Sequence, residues 1–398
     1  MPPADVKTSD APLGGRRLHI LQVAAMPFPT PQGSQVYVRG MARALARRGH
    51  KVTVVCYAHG QGEPDPEYAV VRAPSIPGYR RLRSGPDLVK PLLDAALAAR
   101  LSQLDADIVH AHNYEAPLVA AIAGLRRRLP VVYSAHTLLQ EELPTYFSAR
   151  PAQRAAGGLG WLLDRTVPRL SAHAIAISER NADFLRSIGC RRVSHVPPGV
   201  EASDLVMPSD CHRLSGGPWV VYAGNPDRYQ DLDVLIAAMR QLPEAGLLLV
   251  SASRLDHLAG AGLRRLRCVQ TSDFSEVRRW LASADVAALP RSVCSGYPIK
   301  LLNYLGMGLP TVAAQGSARP LPGVVAVADR DPAAMAAAIR SLLQDRPRRQ
   351  ALGAAAREHV LTACTWEQRV IGVEAVYAEV LGIGRRRGIL RHAETDFG

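Results

Sequence analysis

Leu18-His-Ile-Leu-Gln-Val-Ala-Ala25 and Lys51-Val-Thr-Val-Val-Cys-Tyr57 are short, largely apolar runs on either side of a helical pattern. Runs of this length, rich in aliphatic residues, suit strands that are covered on both faces. Between them Pro27-Phe-Pro-Thr-Pro-Gln-Gly-Ser34 forms a loop, and the helix that follows reaches about Arg48. Gly49 supplies the natural C-terminal stop. Strand, helix and strand in this order make a βαβ unit, and a βαβ unit dictates a parallel sheet.

The same reading extends outward. Buried strands are expected at 107–112, 130–136, 172–178 and 193–196, with helices at about 86–104, 115–126, 158–170 and 179–188. Segments 74–86 and 137–157 read as loops over a cleft. After the polar stretch 201–218 a second series starts, with strands at 219–224, 246–251, 266–269, 285–289, 311–314 and 324–328. The expected fold class is α/β, with two doubly wound, Rossmann-like domains facing a central cleft. The expected organisation is a disordered start (1–17), a first domain (18–200), a second (201–364), a helix returning to the first domain (365–382) and a basic tail (383–398). Ligands of such sheets bind beyond the carboxyl ends of the strands.

The chain has 398 residues, enough for two domains, and a hydrophobic fraction of 47% that supports full cores. The six cysteines are scattered with no CxxC pair and no zinc-like spacing, which suits a reducing, cytoplasmic compartment and no metal. Arg16-Arg17 precedes too short an apolar run to be a secretion signal, and no stretch has the length of a membrane span. The net charge of +13 comes with only 5% aromatics and no nucleic-acid motif, so nucleic acid is not an expected partner. Arg385-Arg-Arg387 with Arg391 reads first as a solvated tail; weak contact with an anionic membrane is the alternative.

Chemistry concentrates between 284 and 314. An apolar strand ends at Pro290, a loop carries Ser295 and Gly296, and Pro298 stands where a first helical turn tolerates a missing N–H. Such a loop-to-helix junction offers unpaired N–H groups and a positive dipole end to phosphate. It also carries Lys300, one of four lysines among 48 basic residues. Gly33 and Ser34 begin a helix after the first strand, which suits close approach of a phosphate or sugar; a turn glycine with a helix cap is the plainer reading. No GxGxxG is present, so no dinucleotide cofactor is expected. His110 and His112 are read as facing opposite sides of their strand, leaving His112, at its carboxyl end, as the site candidate. Glu141 and Glu142 stand in a loop and read first as solvated acids.

Seven landmarks in order resemble family 4 glycosyltransferases: Pro-Gln-Gly-Ser (31–34) leading into Arg43-Ala-Leu-Ala-Arg-Arg-Gly-His-Lys-Val, then Asp107-Ile-Val-His-Ala-His, Val131-Val-Tyr-Ser-Ala-His, Ile175-Ala-Ile-Ser-Glu, Val196-Pro-Pro-Gly-Val-Glu, Val221-Tyr-Ala-Gly-Asn, and Ser295 to Pro310. The resemblance spans roughly 18 to 381. It implies the two-domain GT-B fold and retaining transfer from a nucleoside-diphosphate sugar without an obligatory metal. The acceptor stays open: glycan, lipid or small metabolite.

It also implies site roles. The residue matching His136 touches sugar or acceptor, so His136 and His112 are the catalytic candidates. The family's Glu-x7-Glu falls here on Ser295 and Asn303, and its diphosphate-clamping Arg and Lys fall on Asn225 and Gln230. Arg228, Arg291 and Lys300 are the cations at hand to replace that clamp. Ser295, Asn303 and Tyr304 are the nucleoside-side candidates, with core packing the plainer reading of Tyr304. The four neutral positions leave a rival reading, a catalytically silent homologue that binds a nucleotide sugar or a partner enzyme. An epimerase of the same fold would need a carboxylate set that the sequence does not show.

Overall fold

The computed structural model describes residues 12–30, 32–61, 65–80, 87–124, 129–258 and 260–383. The chain divides at Pro198/Gly199 and again at Trp366/Glu367; the first unit holds the stretches outside these two breaks, the second the stretch between them.

The first unit is a seven-stranded sheet of β1 (His19–Ala24), β2 (Lys51–Cys56), β3 (Ala69–Arg72), β4 (Ile108–His112), β5 (Val131–Ala135), β6 (His173–Ala176) and β7 (Val193–His195). All pairs are parallel, in the order β3-β2-β1-β4-β5-β6-β7. Sequence reading missed β3. It is four residues long, lies at the sheet edge and is only partly buried, so it lacks the apolar run that marks the others. Strand order reverses between β1 and β4, which opens a crevice at their carboxyl ends.

Helix Gly33–Arg47 covers this sheet. Tyr37, Val38, Met41 and Leu45 recur at helical spacing and are buried, each worth about 1.5–3 kcal/mol as an upper bound. The helix closes where Gly49, at φ 92°, donates its N–H to Ala46 O at 2.8 Å.

Two expectations fail locally. Leu13 is buried, and Arg16 N–H closes a turn on Leu13 O at 3.0 Å, so order begins before Leu18. Residues 1–11 and the basic tail from 384 lie outside the described residues. Segment 137–157 is helical rather than a loop: Leu139–Glu142, a 3-10 turn at Leu143–Tyr146, then Arg150–Thr166. The sequence reading caught only the second half of that last helix, at about 158–170; Gly157, Gly158 and Gly160 lower its propensity and leave its start at Arg150 unmarked. The packing explains Gly160, because a Cβ there would meet the backbone of Leu139 and Gln140 at 2.6 Å. Asp164, one turn on, accepts from both of their N–H groups at 2.9 Å.

The second unit is a six-stranded parallel sheet of β8 (Trp219–Ala223), β9 (Gly246–Ser251), β10 (Leu266–Gln270), β11 (Val286–Leu289), β12 (Thr311–Ala314) and β13 (Val324–Val327), in the order β10-β9-β8-β11-β12-β13. Its strands were legible because β8, β9, β11 and β12 are buried almost throughout. The reversal lies between β8 and β11.

From Glu367 onward the helix Trp366–Val380 belongs to the first unit. Val370, Val373 and Tyr377 are buried on it, and so is Glu374. Glu374 accepts from Arg48 Nη2 at 2.7 Å and from His50 Nε2 at 3.1 Å. Burial pushes its carboxyl up, but the hydrogen bonds from His50 and Arg48 outweigh burial and hold it below the usual range. Glu374→Ala should therefore cost about 3 kcal/mol, because Arg48 is left unpaired in a part-buried place. Denaturant unfolding near neutral pH checks this, and the deficit should shrink as pH falls through the carboxylate range, where the wild-type contribution is itself lost.

Candidate active site

Every strand of the first sheet ends at the same edge, and His136 follows β5 there. Its Nδ1 lies 3.2 Å from Ser34 Oγ, in the first turn of Gly33–Arg47, and its Nε2 lies 3.4 Å from His112 Nδ1. Ser34 is thus no helix cap; the N-cap residue is Gln32, whose side chain makes no capping bond. Gly33 is exposed, and a Cβ there would meet nothing within 4 Å, so neither packing nor a positive φ demands glycine.

His110 and His112 do not face opposite sides. Residues two apart on a strand share a face, and the two rings stack at 4.5 Å between centroids, 21° apart. His110 Nδ1 lies 2.6 Å from Tyr377 Oη and its Nε2 2.7 Å from Ser134 Oγ. Burial keeps all three imidazoles neutral: His110 and His136 fall to about 3, and His112 falls well below its ordinary value, with neighbouring histidines adding to the effect on His110 and His112. His110 is structural, bonded at both nitrogens. His112 is also buried, and it reaches the site edge only through His136.

A pocket of about 130 Å³ opens beside Ser34. Sequence reading missed most of its lining: Tyr57, Tyr79, Asp87, Lys90, Tyr114 and Glu115. Tyr57 directly follows β2 and Tyr114-Glu115 closely follow β4, so their place at strand ends was the available signal. Lys90 pairs with Glu115, and the Tyr79 hydroxyl donates to Asp87 at 2.9 Å. Glu142 lines the same pocket and accepts from Tyr146 at 2.9 Å, whereas Glu141 is paired with Arg180.

In the second unit, Pro298 stands just ahead of the helix Ile299–Gly306 rather than inside it. Lys300, half-buried, donates to Tyr222 Oη at 2.9 Å and to Gln230 Oε1 at 3.0 Å, with its Nζ 4.5 Å from the Tyr222 ring centre. Gly224 has φ 155°, a conformation that L side chains rarely adopt, and its missing Cβ leaves space that Lys300 Nζ occupies. Burial first, then the charge of Arg291, pull the ammonium down to about 7. The cation is therefore held by neutral oxygens, with no carboxylate in direct contact among the described residues.

The other candidates divide around it. Asn225 donates to Asp227 and to Tyr229 Oη, Arg228 is exposed, and Arg291 donates to Val293 O at 2.6 Å while lying over the Tyr229 ring at 4.9 Å. Ser295 is buried and Asn303 half-buried. Tyr304 is core, not a nucleoside contact: it is fully buried, and its hydroxyl is saturated by Ala223 N–H at 2.8 Å and Ala223 O at 2.9 Å. Asp231 escaped the sequence reading. At φ 52° it accepts from Ser292 N–H at 2.8 Å and Ser292 Oγ–H at 2.6 Å, so it fixes the loop that leads to Lys300.

Two such parallel sheets, each with polar groups at its carboxyl edge, are the Rossmann-like units of the GT-B fold. Residues 31–204 match the model of Glycosyltransferase Family 4, and residues 217–345 match that of Glycosyl transferases group 1. The chain belongs to the family 4 glycosyltransferases. It is similar to a D-inositol 3-phosphate glycosyltransferase from Xylanimonas cellulosilytica, 27% identical over 92% of this chain and 97% of the relative. Its fold is similar to that of sucrose-phosphate synthase from Thermosynechococcus elongatus (19% identity, TM-score 0.77, 92% and 100% of the two chains). It also resembles HepE from Anabaena, crystallised with UDP and glucose (16% identity, TM-score 0.67, 92% and 100%). Among the described residues no group of His, Cys, Asp and Glu is placed to hold a metal ion, and no helix is long and apolar enough to cross a membrane.

The neutral histidines make the first unit acid-sensitive. Each has a folded-state affinity for protons below its ordinary value of 6.5. Below that pH the unfolded chain takes up protons that the folded chain refuses, so stability falls as pH falls from about 6.5 toward 3, by up to about 1.4 kcal/mol per pH unit per histidine. Denaturant midpoints at pH 7 and 5 measure this, and His112→Gln should make the loss between them smaller.

Proposed function

We propose that the protein transfers a sugar, with retention of configuration, from a nucleoside-diphosphate sugar to a hydroxyl acceptor. The second unit holds the donor through residues 222–230 and 291–303. The first unit meets the acceptor beside Ser34 and His136. The observation that carries this reading is Lys300. A half-buried ammonium bonded only to Tyr222 and Gln230 gains its full stabilisation when an anion arrives. Gln230 holds the position of the family's clamping lysine, so Lys300 supplies from the neighbouring helix the cation that position lacks.

In the transfer, the bond between the sugar's anomeric carbon and the diphosphate oxygen breaks, and the acceptor oxygen bonds to that carbon on the same face. The departing phosphate takes the acceptor's proton, so no side-chain base is required. Lys300 stabilises the negative charge that develops on the diphosphate, an effect worth a few kcal/mol per contact. Ser34 presents its hydroxyl, and His136 fixes that hydroxyl's orientation as a positioning residue.

Lys300→Ala should weaken nucleoside-diphosphate binding at least tenfold while leaving free nucleoside binding nearly unchanged. Equal weakening of both would make Lys300 merely structural. Diphosphate binding should also restore the ammonium. At pH 8, above the depressed value of about 7, binding should take up as much as one proton. Calorimetry in buffers of different ionisation enthalpy reads that uptake directly, and Lys300→Ala should abolish it.

His136→Ala should lower turnover by about 100-fold and leave nucleoside-diphosphate affinity nearly intact, the mark of lost positioning in the transition state. Initial rates and calorimetry on the same protein check both halves.

A further inference from the structure

Helix Arg150–Thr166 packs through small residues, with Leu163 partly buried beside them, and leaves three of its large apolar side chains facing outward. Its buried residues are Ala156, Gly160 and Asp164, a narrow stripe at spacing four that rests on the backbone of Leu139 and Gln140. Leu159, Trp161 and Leu162 are 51%, 52% and 50% exposed, and Phe147, just ahead of the helix, is 37% exposed. Single exposed apolar side chains are ordinary, but a group of this size on one short stretch marks an interaction surface.

The exposed charges of this helix are of one kind. Arg150 and Arg154 are exposed on this helix, and the Arg165 guanidinium lies 4.2 Å from the Trp161 ring centre. The neighbouring carboxylates are engaged: Asp164 faces inward onto backbone N–H groups, and Glu141 is paired with Arg180. A surface that is at once apolar and cationic complements a lipid headgroup layer, where acyl chains lie just beneath negative phosphates.

We propose that this face of the first unit docks on an anionic membrane surface, with Trp161 and Leu162 entering the boundary between headgroups and acyl chains and with Arg150 and Arg154 at the lipid phosphates. Indole, apolar in body with one N–H, favours that depth. The contact is peripheral. Glu142 and Tyr146, immediately before Phe147, line the pocket beside Ser34, so docking brings that pocket to the headgroup layer. That consequence rests on the transferase reading; the docking itself does not.

The four tryptophans make the test direct. Trp219, Trp280 and Trp366 are buried, at 8%, 6% and 2% exposure, so Trp161 is the one that lipid can reach. The full chain is mixed with vesicles of phosphatidylcholine alone, or with about one third phosphatidylglycerol, carrying brominated acyl chains. Tryptophan emission should shift to the blue and be quenched by the anionic vesicles, less so at high salt. Trp161→Phe should lose the quenching and keep the vesicle affinity. Trp161→Ser with Leu162→Ser should lower that affinity about tenfold or more, with thermal unfolding unchanged because both side chains are exposed. Arg150→Glu with Arg154→Glu should remove the preference for the anionic lipid.

Absence of quenching with anionic vesicles overturns the proposal, and so does a serine double variant that binds them as wild type does. Vesicle binding that leaves Trp161 unquenched would assign the contact to another part of the chain and overturn it too. If the wild type fails to bind vesicles but forms dimers that the double variant does not, the face belongs to a second copy and the proposal falls.

Discussion

Desolvation governs the candidate site of each unit. Each stands at the carboxyl edge of a parallel sheet whose faces are covered, so polar side chains there are carried part-way out of water by the fold itself. The first unit answers by going neutral: three imidazoles packed against one another, two hydroxyls beside His110 and a serine beside His136. The second unit answers by leaving a cation incompletely satisfied. Lys300 touches a phenol and an amide where a carboxylate would have neutralised it. Neutrality suits a place that orients hydroxyls, and an unfilled cation suits one that receives phosphate.

In the second unit the half-buried cation stands on the helix Ile299–Gly306, and β8 and the loop after it contribute neutral partners. Gln230 and Asn225 are neutral amides and supply no charge; Gln230 is buried, and Asn225 is tied to Asp227 and Tyr229. Lys300 reaches the same locality from the helix after β11, and Gly224 leaves room for its Nζ. The geometry depends on the loop between them. Asp231, in a left-handed conformation, anchors Ser292, and Arg319 donates to Gly296 O at 2.8 Å from the other side. On the proposed reading, Lys300 takes the clamp's part from another element, between loop positions held by Asp231 and Arg319.

How legible this was from sequence follows from the same physics. Buried parallel strands announce themselves as apolar runs, which is why β1, β2 and β9 were read nearly to the residue while the exposed edge strand β3 was not. Lys300 and His136 stood out through rarity and position, and the structure puts both among polar partners at strand ends. Gln230 and Asn225 were legible only as departures from a family pattern. Asp231 was not legible, because its role depends on a backbone conformation and a partner 61 residues away. The pocket tyrosines were overlooked because a tyrosine after a strand looks like core until the loops around it are placed. The misreading of His110 and His112 was one of alternation, and it concealed that they stack on one face.

The glycine-bearing helix Arg150–Thr166 shows why local pattern can mislead about both structure and surface. Its propensity is poor, and its apolar residues do not mark the side that packs. It exists because Gly160 allows backbone-to-backbone approach and Asp164 caps the short helix beneath it. With that inner stripe fixed by two small residues and a carboxylate, and Leu163 packed beside it, three large side chains are left facing outward. Packing thus forces the exposure of Leu159, Trp161 and Leu162. A surface that the fold leaves exposed, beside arginines on the same helix, is one that a partner outside the chain can use.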